Sequence, residues 1–117
     1  MTTSPWIFSL RETEALIPKA QGSVPFHVAL NEQGAMAGLY APGPSDLQQP
    51  HVRPELYVVA RGSGFIVKAG ERRAIQQNDV IYVEAGAAHR FEDYSADLAL
   101  WVVFWSPTRA ANQTDTD

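Results

Sequence analysis

After Pro18 the chain is a succession of short apolar segments separated by turn residues, and this spacing limits the folds open to it. Segments such as FHVAL, ELYVVA, DVIYV and LALWVVFW are divided by Gly, Asn, Asp or Pro at intervals of about eight to twelve residues. The sequence beyond Pro18 lacks helical periodicity, which argues against a parallel α/β fold. The pattern predicts an all-β sandwich or barrel.

The N-terminal segment has a different pattern. Ser9 and Glu12 have the spacing of a capping box, and LRETEALI predicts one short helical turn that ends before Pro18. The C-terminal sequence PTRAANQTDTD is polar and built from small residues. We therefore expect an N-terminal arm with a short helix over residues 1–22, a barrel over residues 23–106 and a flexible tail over residues 107–117.

Composition excludes several classes of partner. The chain has 117 residues, enough for one domain with a real core, and 9 basic against 13 acidic side chains give a net charge of −4. This balance disfavours a nucleic-acid surface and an anionic-lipid surface. Without cysteine there is no disulfide or thiolate site, and no apolar run approaches the roughly 20 residues of a membrane span. Because the N-terminus does not have the form of a secretory signal, we expect a cytoplasmic protein.

The last predicted strand is apolar on both of its faces. Its alternate positions are Leu98, Leu100, Val102 and Phe104 on one face, and Ala99, Trp101, Val103 and Trp105 on the other. Such a strand is either central in its sheet or covered by a second copy of the protein. We expect a homodimer that stacks these surfaces, because an exposed apolar patch of this size is unusual on a monomer.

Polar residues of metal-ligand type alternate just before the strand ELYVVA; they are Gln49, His51, Arg53 and Glu55. Side chains two positions apart on a strand share a face at about 6.6 Å, so Gln49 and His51 can lean toward one point. Glu55 is about 13 Å of straight strand away from His51, so the chain must bend, and Pro54 favours a bend. His89 follows a later strand and turn and is a further candidate.

These residues resemble the two motifs of the cupins over about residues 40–105. The first motif falls on Gly43, Gln49, His51, Glu55 and Gly62, and the second falls on Asn78, Glu84, Gly86, His89 and Asp93. Gln49 stands where the family has its first histidine, and Asn78, Glu84 and Asp93 also differ from the family's residues. The resemblance implies a conical β-barrel, a double-stranded β-helix or jelly roll, with a divalent metal near its centre.

The resemblance also implies a ligand set for that metal. It assigns His51, Glu55 and His89 as ligands and puts Gln49 in the place of the missing imidazole. Gln49 is then either a ligand or the hydrogen-bond partner of one. An amide oxygen is a harder and weaker donor than an imidazole, which favours Mn(II) or Fe(II) while leaving Zn(II) and Ni(II) open.

Three further side chains are candidate substrate-binding residues. Arg53 could clamp a substrate carboxylate or phosphate, oppose the metal by repulsion, or point outward into solvent. Tyr57 shares the face of Glu55 and either lines the cavity or packs in the core with its hydroxyl bonded. Phe91, two residues after His89, either contacts substrate or packs in the barrel.

The sequence leaves the function open among three hypotheses. The first is a metal-dependent enzyme of dioxygenase or isomerase type acting on a small organic acid or enol, with Glu55 as ligand or, when displaced, as catalytic base. The second is a non-catalytic barrel that binds a small ligand such as a sugar or an aromatic acid. The third is a structural dimer with a degenerate site, in which a metal only braces the barrel.

Overall fold

The protein is described by a computed structural model that covers residues 6–20, 22–46 and 52–105. Its elements are α1 (Leu10–Ala15), β1 (Phe26–Glu32), β2 (Ala35–Tyr40), β3 (Glu55–Arg61), β4 (Ser63–Lys68), β5 (Glu71–Gln76), β6 (Val80–Val83), β7 (His89–Glu92) and β8 (Ala99–Trp105). The all-β expectation with a short N-terminal helix is confirmed. Among the described residues, no helix is long and apolar enough to cross a membrane.

The strands form two antiparallel sheets that enclose one core. The larger sheet has the order β1-β2-β8-β3-β6, and the smaller sheet has the order β5-β4-β7. Side chains from both sheets meet in the barrel interior, including Tyr57, Val59 and Leu100 from the larger sheet and Ile66 and Phe91 from the smaller. This arrangement is the jelly-roll barrel that the resemblance to the cupins implies, and it agrees with the sandwich or barrel expected from the strand pattern.

The chain crosses from one sheet to the other at Gly62. The sequence predicts that RGSG folds the next strand back onto β3, but β3 is already paired on both edges, with β6 and β8, and β4 pairs instead with β5 and β7. Gly62 has a φ of 89°, and a Cβ there would lie 2.5 Å from Ser95 Oγ and 2.9 Å from Leu98 Cα. Only glycine fits this crossing without displacement of its neighbours.

The apolar pattern of β8 is explained by its central position, because β8 pairs with β2 and with β3. Leu100 and Val102 point into the barrel core. Ala99 lies on the opposite face and is buried beneath Ile17, and Trp101 packs beside them. The chain itself thus covers part of the outer face of β8, and the dimer stays a prediction.

The N-terminal arm is folded by local signals. Ser9 is the N-cap of α1, and its hydroxyl accepts a hydrogen bond from the backbone N–H of Glu12 at 3.1 Å. The helix ends at Ala15, ahead of Pro18. Glu14 then accepts two hydrogen bonds from the guanidinium of Arg61 on β3, at 3.0 and 2.5 Å, which joins the arm to the larger sheet.

Candidate functional site

Glu55 and Tyr57 are carried into the barrel interior by the alternation of β3. Glu55 is the first residue of the strand and follows Pro54 directly, and it is 2% exposed, while Tyr57 is 1% exposed. Alternate residues of a strand share one face, so both side chains point into the core with Val59. A buried carboxylate is costly unless polar or charged groups surround it, so its neighbours decide what it can do.

His89 is the first residue of β7 and faces the same interior. Its Nδ1 lies 3.0 Å from the carbonyl oxygen of Ala87, and a carbonyl can only accept, so Nδ1 carries the proton and donates. In the neutral imidazole, Nε2 is then an acceptor, and it lies 3.1 Å from the Tyr57 hydroxyl. A backbone carbonyl that fixes Nδ1–H in this way is the usual support of a histidine that binds a metal through Nε2.

The carboxylate of Glu55 and the imidazole of His89 lie close enough to share an ion. Glu55 Oε1 is 3.8 Å from His89 Nε2, less than the roughly 4.2 Å spanned by two metal bonds of about 2.1 Å. Within residues 6–20, 22–46 and 52–105, no group of three His, Cys, Asp or Glu side chains is arranged to hold a metal. Gln49 and His51, the other two predicted ligands, lie outside the described residues. The separation of Glu55 and His89 is compatible with a shared ion, and the metal site stays a prediction.

Tyr57 lies next to His89 and Glu55 as a neutral hydrogen-bond donor. Burial raises the pKa of Tyr57 far above its ordinary value, and the negative charge of Glu55 raises it further. The hydroxyl of Tyr57 therefore keeps its proton. The ring packs edge-on against Phe91, with their centroids 5.2 Å apart. Phe91 is 3% exposed and belongs to the core cluster beneath Tyr57. Tyr57 thus combines the two alternatives that the sequence leaves open, packing in the core and facing the cavity.

Asp46 is a residue of the site that sequence reasoning missed. One oxygen of its carboxylate accepts a hydrogen bond from the Tyr40 hydroxyl, and the other accepts from the backbone N–H of Phe91 at 2.7 Å. Burial and the hydrogen bond to Asp46 raise the pKa of Tyr40. Asp46 thus joins the loop after β2 to β7, the strand of His89, just before the segment that contains Gln49 and His51. Its place in the loop APGPSDLQQP is the only sequence signal.

Arg53 turns toward the mouth of the barrel and not outward. Its guanidinium carbon lies 4.8 Å from the centre of the Phe104 ring, and its Nη1 is 3.1 Å from the sulfur of Met36. Met36 and Phe104 are register partners, and Phe104 is also paired with Glu55, so all three share the inner face of the larger sheet. A cation therefore lies at the end of the barrel where Glu55 enters it.

A small cavity of about 120 Å³ lies beside Glu55, Tyr57 and Phe104. Its lining residues are Val24, Phe26, Tyr40, Glu55, Tyr57, Val102 and Phe104. The volume equals that of about four water molecules, so it suits a small molecule or one end of a larger one. A groove of about 430 Å³ between β5 and β6 is larger, but its cations Lys68 and Arg73 are paired with carboxylates. We therefore place the site inside the barrel.

The fold and these side chains define a small jelly-roll barrel whose interior contains a buried carboxylate, an oriented imidazole and a phenol. The sequence profile of the Cupin domain matches residues 38–105, more than half of the chain. The chain therefore belongs to the cupin family, whose members commonly bind a metal in the barrel.

Similar proteins are found both by sequence and by structure. An uncharacterized protein of Streptomyces coelicolor is 37% identical over 102 residues, which cover 86% of this chain and 95% of that protein. The crystal structure of a Cupin 2 conserved barrel domain protein from Salinispora arenicola has a TM-score of 0.68 at 17% identity, covering 98% of this chain and 100% of that one. An RmlC-like cupin from Shewanella frigidimarina has a TM-score of 0.64 at 16% identity, covering 90% and 94%. At these identities the structures show the fold alone.

Proposed function

We propose that this cupin is a metal-dependent enzyme of oxygenase or isomerase type that acts on a small organic acid or enol inside the barrel. The observation that carries the proposal is the buried pair of Glu55 and His89, 3.8 Å apart, with the Nδ1–H of His89 fixed by the Ala87 carbonyl. His89 through Nε2 and Glu55 would hold the ion, together with His51 and Gln49 of the adjoining segment. A bound divalent ion would supply Lewis-acid polarisation of a substrate oxygen.

Two other side chains would select the substrate: Tyr57 lines the cavity, and Arg53 lies against Phe104, which is part of the cavity wall. Arg53 presents a cation at the mouth, which suits the carboxylate of a small organic acid. Tyr57 holds its phenolic proton and can donate a hydrogen bond to a substrate oxygen, because its raised pKa opposes ionisation. The apolar walls, which include Val102 and Phe104, exclude water from the bound molecule. The Glu55 carboxylate, when it is displaced from the ion, would accept a proton from the substrate.

The donor set favours a hard or borderline ion. A carboxylate and an amide oxygen beside imidazole suit Fe(II) or Mn(II), and Zn(II) and Ni(II) also accept such ligands. Elemental analysis of the purified protein therefore comes before any assay, because an enzyme loaded with the wrong ion can be inactive even with its own substrate.

The test is metal binding by calorimetry after chelator treatment, with wild type, His89→Ala and His27→Ala compared. His27 is the matched control, since it lies half-buried on β1, on the outer face of the larger sheet, paired with Leu39. We expect one ion per chain for wild type and for His27→Ala, and at least about tenfold weaker binding for His89→Ala. Equal affinities in His89→Ala and wild type would refute the metal site.

The enzymatic part of the proposal needs its own readout. Oxygen consumption by the Fe(II)-loaded protein, measured with a panel of small hydroxy and keto acids, tests for oxygenase activity. Incorporation of deuterium from D₂O into the same acids tests the isomerase arm, because proton abstraction and return is the step assigned to Glu55. Loss of either signal in Glu55→Gln supports the proposal. A metal-loaded wild type that is inert in both assays contradicts it.

Two features favour a second candidate, a non-catalytic barrel that binds a small ligand without a metal. The Tyr57 hydroxyl lies within hydrogen-bond distance of His89 Nε2, and most of the cavity lining is apolar. In this case an aromatic acid or a sugar should raise the melting temperature of chelator-treated protein as much as that of metal-loaded protein.

A further inference from the structure

The inner face of β2 has a glycine in a row where the neighbouring strands have large side chains. Gly38 pairs with Val102 of β8, and Val102 pairs in turn with Tyr57 of β3, so the three lie in one row across the barrel interior. Gly38 is buried, and a Cβ there would lie 2.6 Å from Cζ of the Phe26 ring. The Phe26 ring therefore lies over Gly38, in space that a larger residue would fill.

Phe26 limits the width of the small cavity beside Glu55. Phe26, Val102 and Tyr57 all line this cavity, and the strand order places Phe26 and Tyr57 on opposite sides of Val102. The Phe26 ring also meets the Phe104 ring edge-on, with their centroids 6.2 Å apart. Truncation of Phe26 would extend the cavity over Gly38, which has no side chain to fill the space.

The lining of the cavity is poor in groups that could bind hydroxyls. Its polar atoms come from Tyr40, Glu55 and Tyr57, and the other lining residues are apolar. The Tyr40 hydroxyl donates to Asp46, and the Tyr57 hydroxyl lies 3.1 Å from His89 Nε2. A metal at Nε2 would release only the Tyr57 hydroxyl. Because each buried hydroxyl of a ligand needs a partner, the lining does not suit a sugar.

The charges beside the cavity favour a ligand with one carboxylate. Arg53 lies against Phe104, which is part of the cavity wall, and a guanidinium pairs well with a carboxylate. Glu55 is 2% exposed and lines the cavity itself. A second carboxylate inside the cavity would therefore lie near the Glu55 carboxylate and be repelled by it.

We propose that this cavity selects monocarboxylic acids with a short, branched apolar group, and that Phe26 is the residue that limits the width of that group. The inference rests on the proposed function, which places the substrate in this cavity. An apolar cavity of about 150 Å³ holds one benzene molecule. The cavity here measures about 120 Å³, which suits a branched group of about four carbons and excludes a fused ring system.

The test is the binding of acetate, isovalerate, succinate and 2-naphthoate, measured by calorimetry on chelator-treated and on Zn(II)-loaded protein. Wild type should bind isovalerate at least about tenfold more tightly than acetate, because each buried methylene strengthens binding about fourfold. Succinate should bind at least about tenfold more weakly than isovalerate, because its second carboxylate would be buried near Glu55. 2-Naphthoate should also bind more weakly, since its rings do not fit beside Phe26.

Substitution of Phe26 should reverse the preference for size. Phe26→Ala should bind 2-naphthoate at least about tenfold more tightly than wild type does, because the cavity would then extend over Gly38. Val28→Ala is the matched control, since Val28 lies on the same face of β1, pairs with Gly38 and is not a lining residue. It should keep the order of wild type. Phe26→Leu, a smaller truncation, keeps the test informative where circular dichroism shows that Phe26→Ala does not fold.

The outcomes separate this inference from the proposed function. Wild type that binds succinate as tightly as isovalerate, or that binds none of the four acids in either form, overturns the inference. So does a folded Phe26 variant that keeps the wild-type order of the acids. A protein that binds no metal and still prefers isovalerate contradicts the proposed function alone. An active, metal-loaded protein without this preference contradicts the inference alone.

Discussion

The outer faces of the two sheets have opposite chemistry although both belong to one barrel. On the smaller sheet, Arg72 lies over the Phe65 ring and pairs with Glu92 at 3.2 Å, and Arg90 pairs with the same carboxylate at 2.6 Å. On the larger sheet the corresponding face carries mainly apolar side chains, among them Leu39, Trp101 and Val103, with the charged residues Glu32 and Arg61 near its ends. The outer face of the smaller sheet therefore suits contact with solvent, and the outer face of the larger sheet suits contact with another layer of the protein.

The two sheets differ in how many of their faces are apolar. The smaller sheet has one apolar face and can stand at the surface, as an antiparallel sheet commonly does. The larger sheet has two apolar faces, and its inner one also carries the buried carboxylate of Glu55. The stability of that sheet therefore depends on the arm that packs on its outer face.

We expect the largest loss of stability from a substitution at Gly62, where the chain passes from the larger sheet to the smaller one. Gly62→Ala should lower the free energy of unfolding by about 3 kcal/mol or more, since a methyl group would meet the Leu98 backbone in addition to the strain of a positive φ. Gly70→Ala is the control, with a φ of 85° and nothing within 4 Å of the added carbon. We expect about 1 kcal/mol there by urea denaturation. Equal losses in the two variants would show that contact at the crossing does not matter.

A smaller effect should come from removing an apolar side chain from the covered outer face. Leu39→Ala should cost about 2–4 kcal/mol, because Leu39 is fully buried between the sheet and the arm although it points away from the barrel interior. Val67→Ala, at a half-buried position on the outer face of the smaller sheet, should cost about 1 kcal/mol or less. The measurement is the urea midpoint of each variant. Similar losses for the two would remove the contrast between the faces.

Much of the fold follows from the sequence alone. Short apolar runs, the glycines at turns and the Ser9 cap have local causes, and each appears where the pattern predicts it. The crossing at Gly62 does not follow, because a turn signal shows that the chain changes direction and not which strand it then pairs with. Strand pairing is a long-range property that depends on all eight strands at once.

The sequence predicts two side chains of the candidate site but not the contacts that orient them. His89 and Glu55 could be named as ligand types at suitable spacing, and the structure brings these two together. The tautomer of His89 depends on the carbonyl of Ala87, whose position no residue type reveals. Asp46 was missed because its partners, Tyr40 and the backbone of Phe91, come from distant strands. The direction of Arg53 likewise depends on Met36 and Phe104, which only the folded sheet brings to it.

The ion pair of Glu14 and Arg61 joins the apolar N-terminal arm to the larger sheet. Its removal has the smallest effect on stability that we predict. The hydrogen bond from Arg61 lowers the pKa of Glu14 below its ordinary value of 4.5, against an opposing effect of burial. The unfolded chain therefore binds the proton more tightly than the folded one, so the contribution of the pair is complete above the unfolded pKa and is lost as pH falls through the folded pKa.

Glu14→Gln should therefore lower the free energy of unfolding by about 0.5–1 kcal/mol at pH 7, and this difference should shrink as pH falls below about 4.5. Both side chains are about one-third exposed, so added salt should reduce the difference as well. Urea denaturation of wild type, Glu14→Gln, Arg61→Gln and the double variant from pH 7 to pH 3 isolates the pair, since the other carboxylates cancel in the cycle. A coupling that stays constant over this range would contradict the prediction, since it would show that the charge of Glu14 does not contribute to the pair. Arg61 would then be held mainly by its other partner, the carbonyl of Asp97, which accepts a hydrogen bond from it at 2.8 Å.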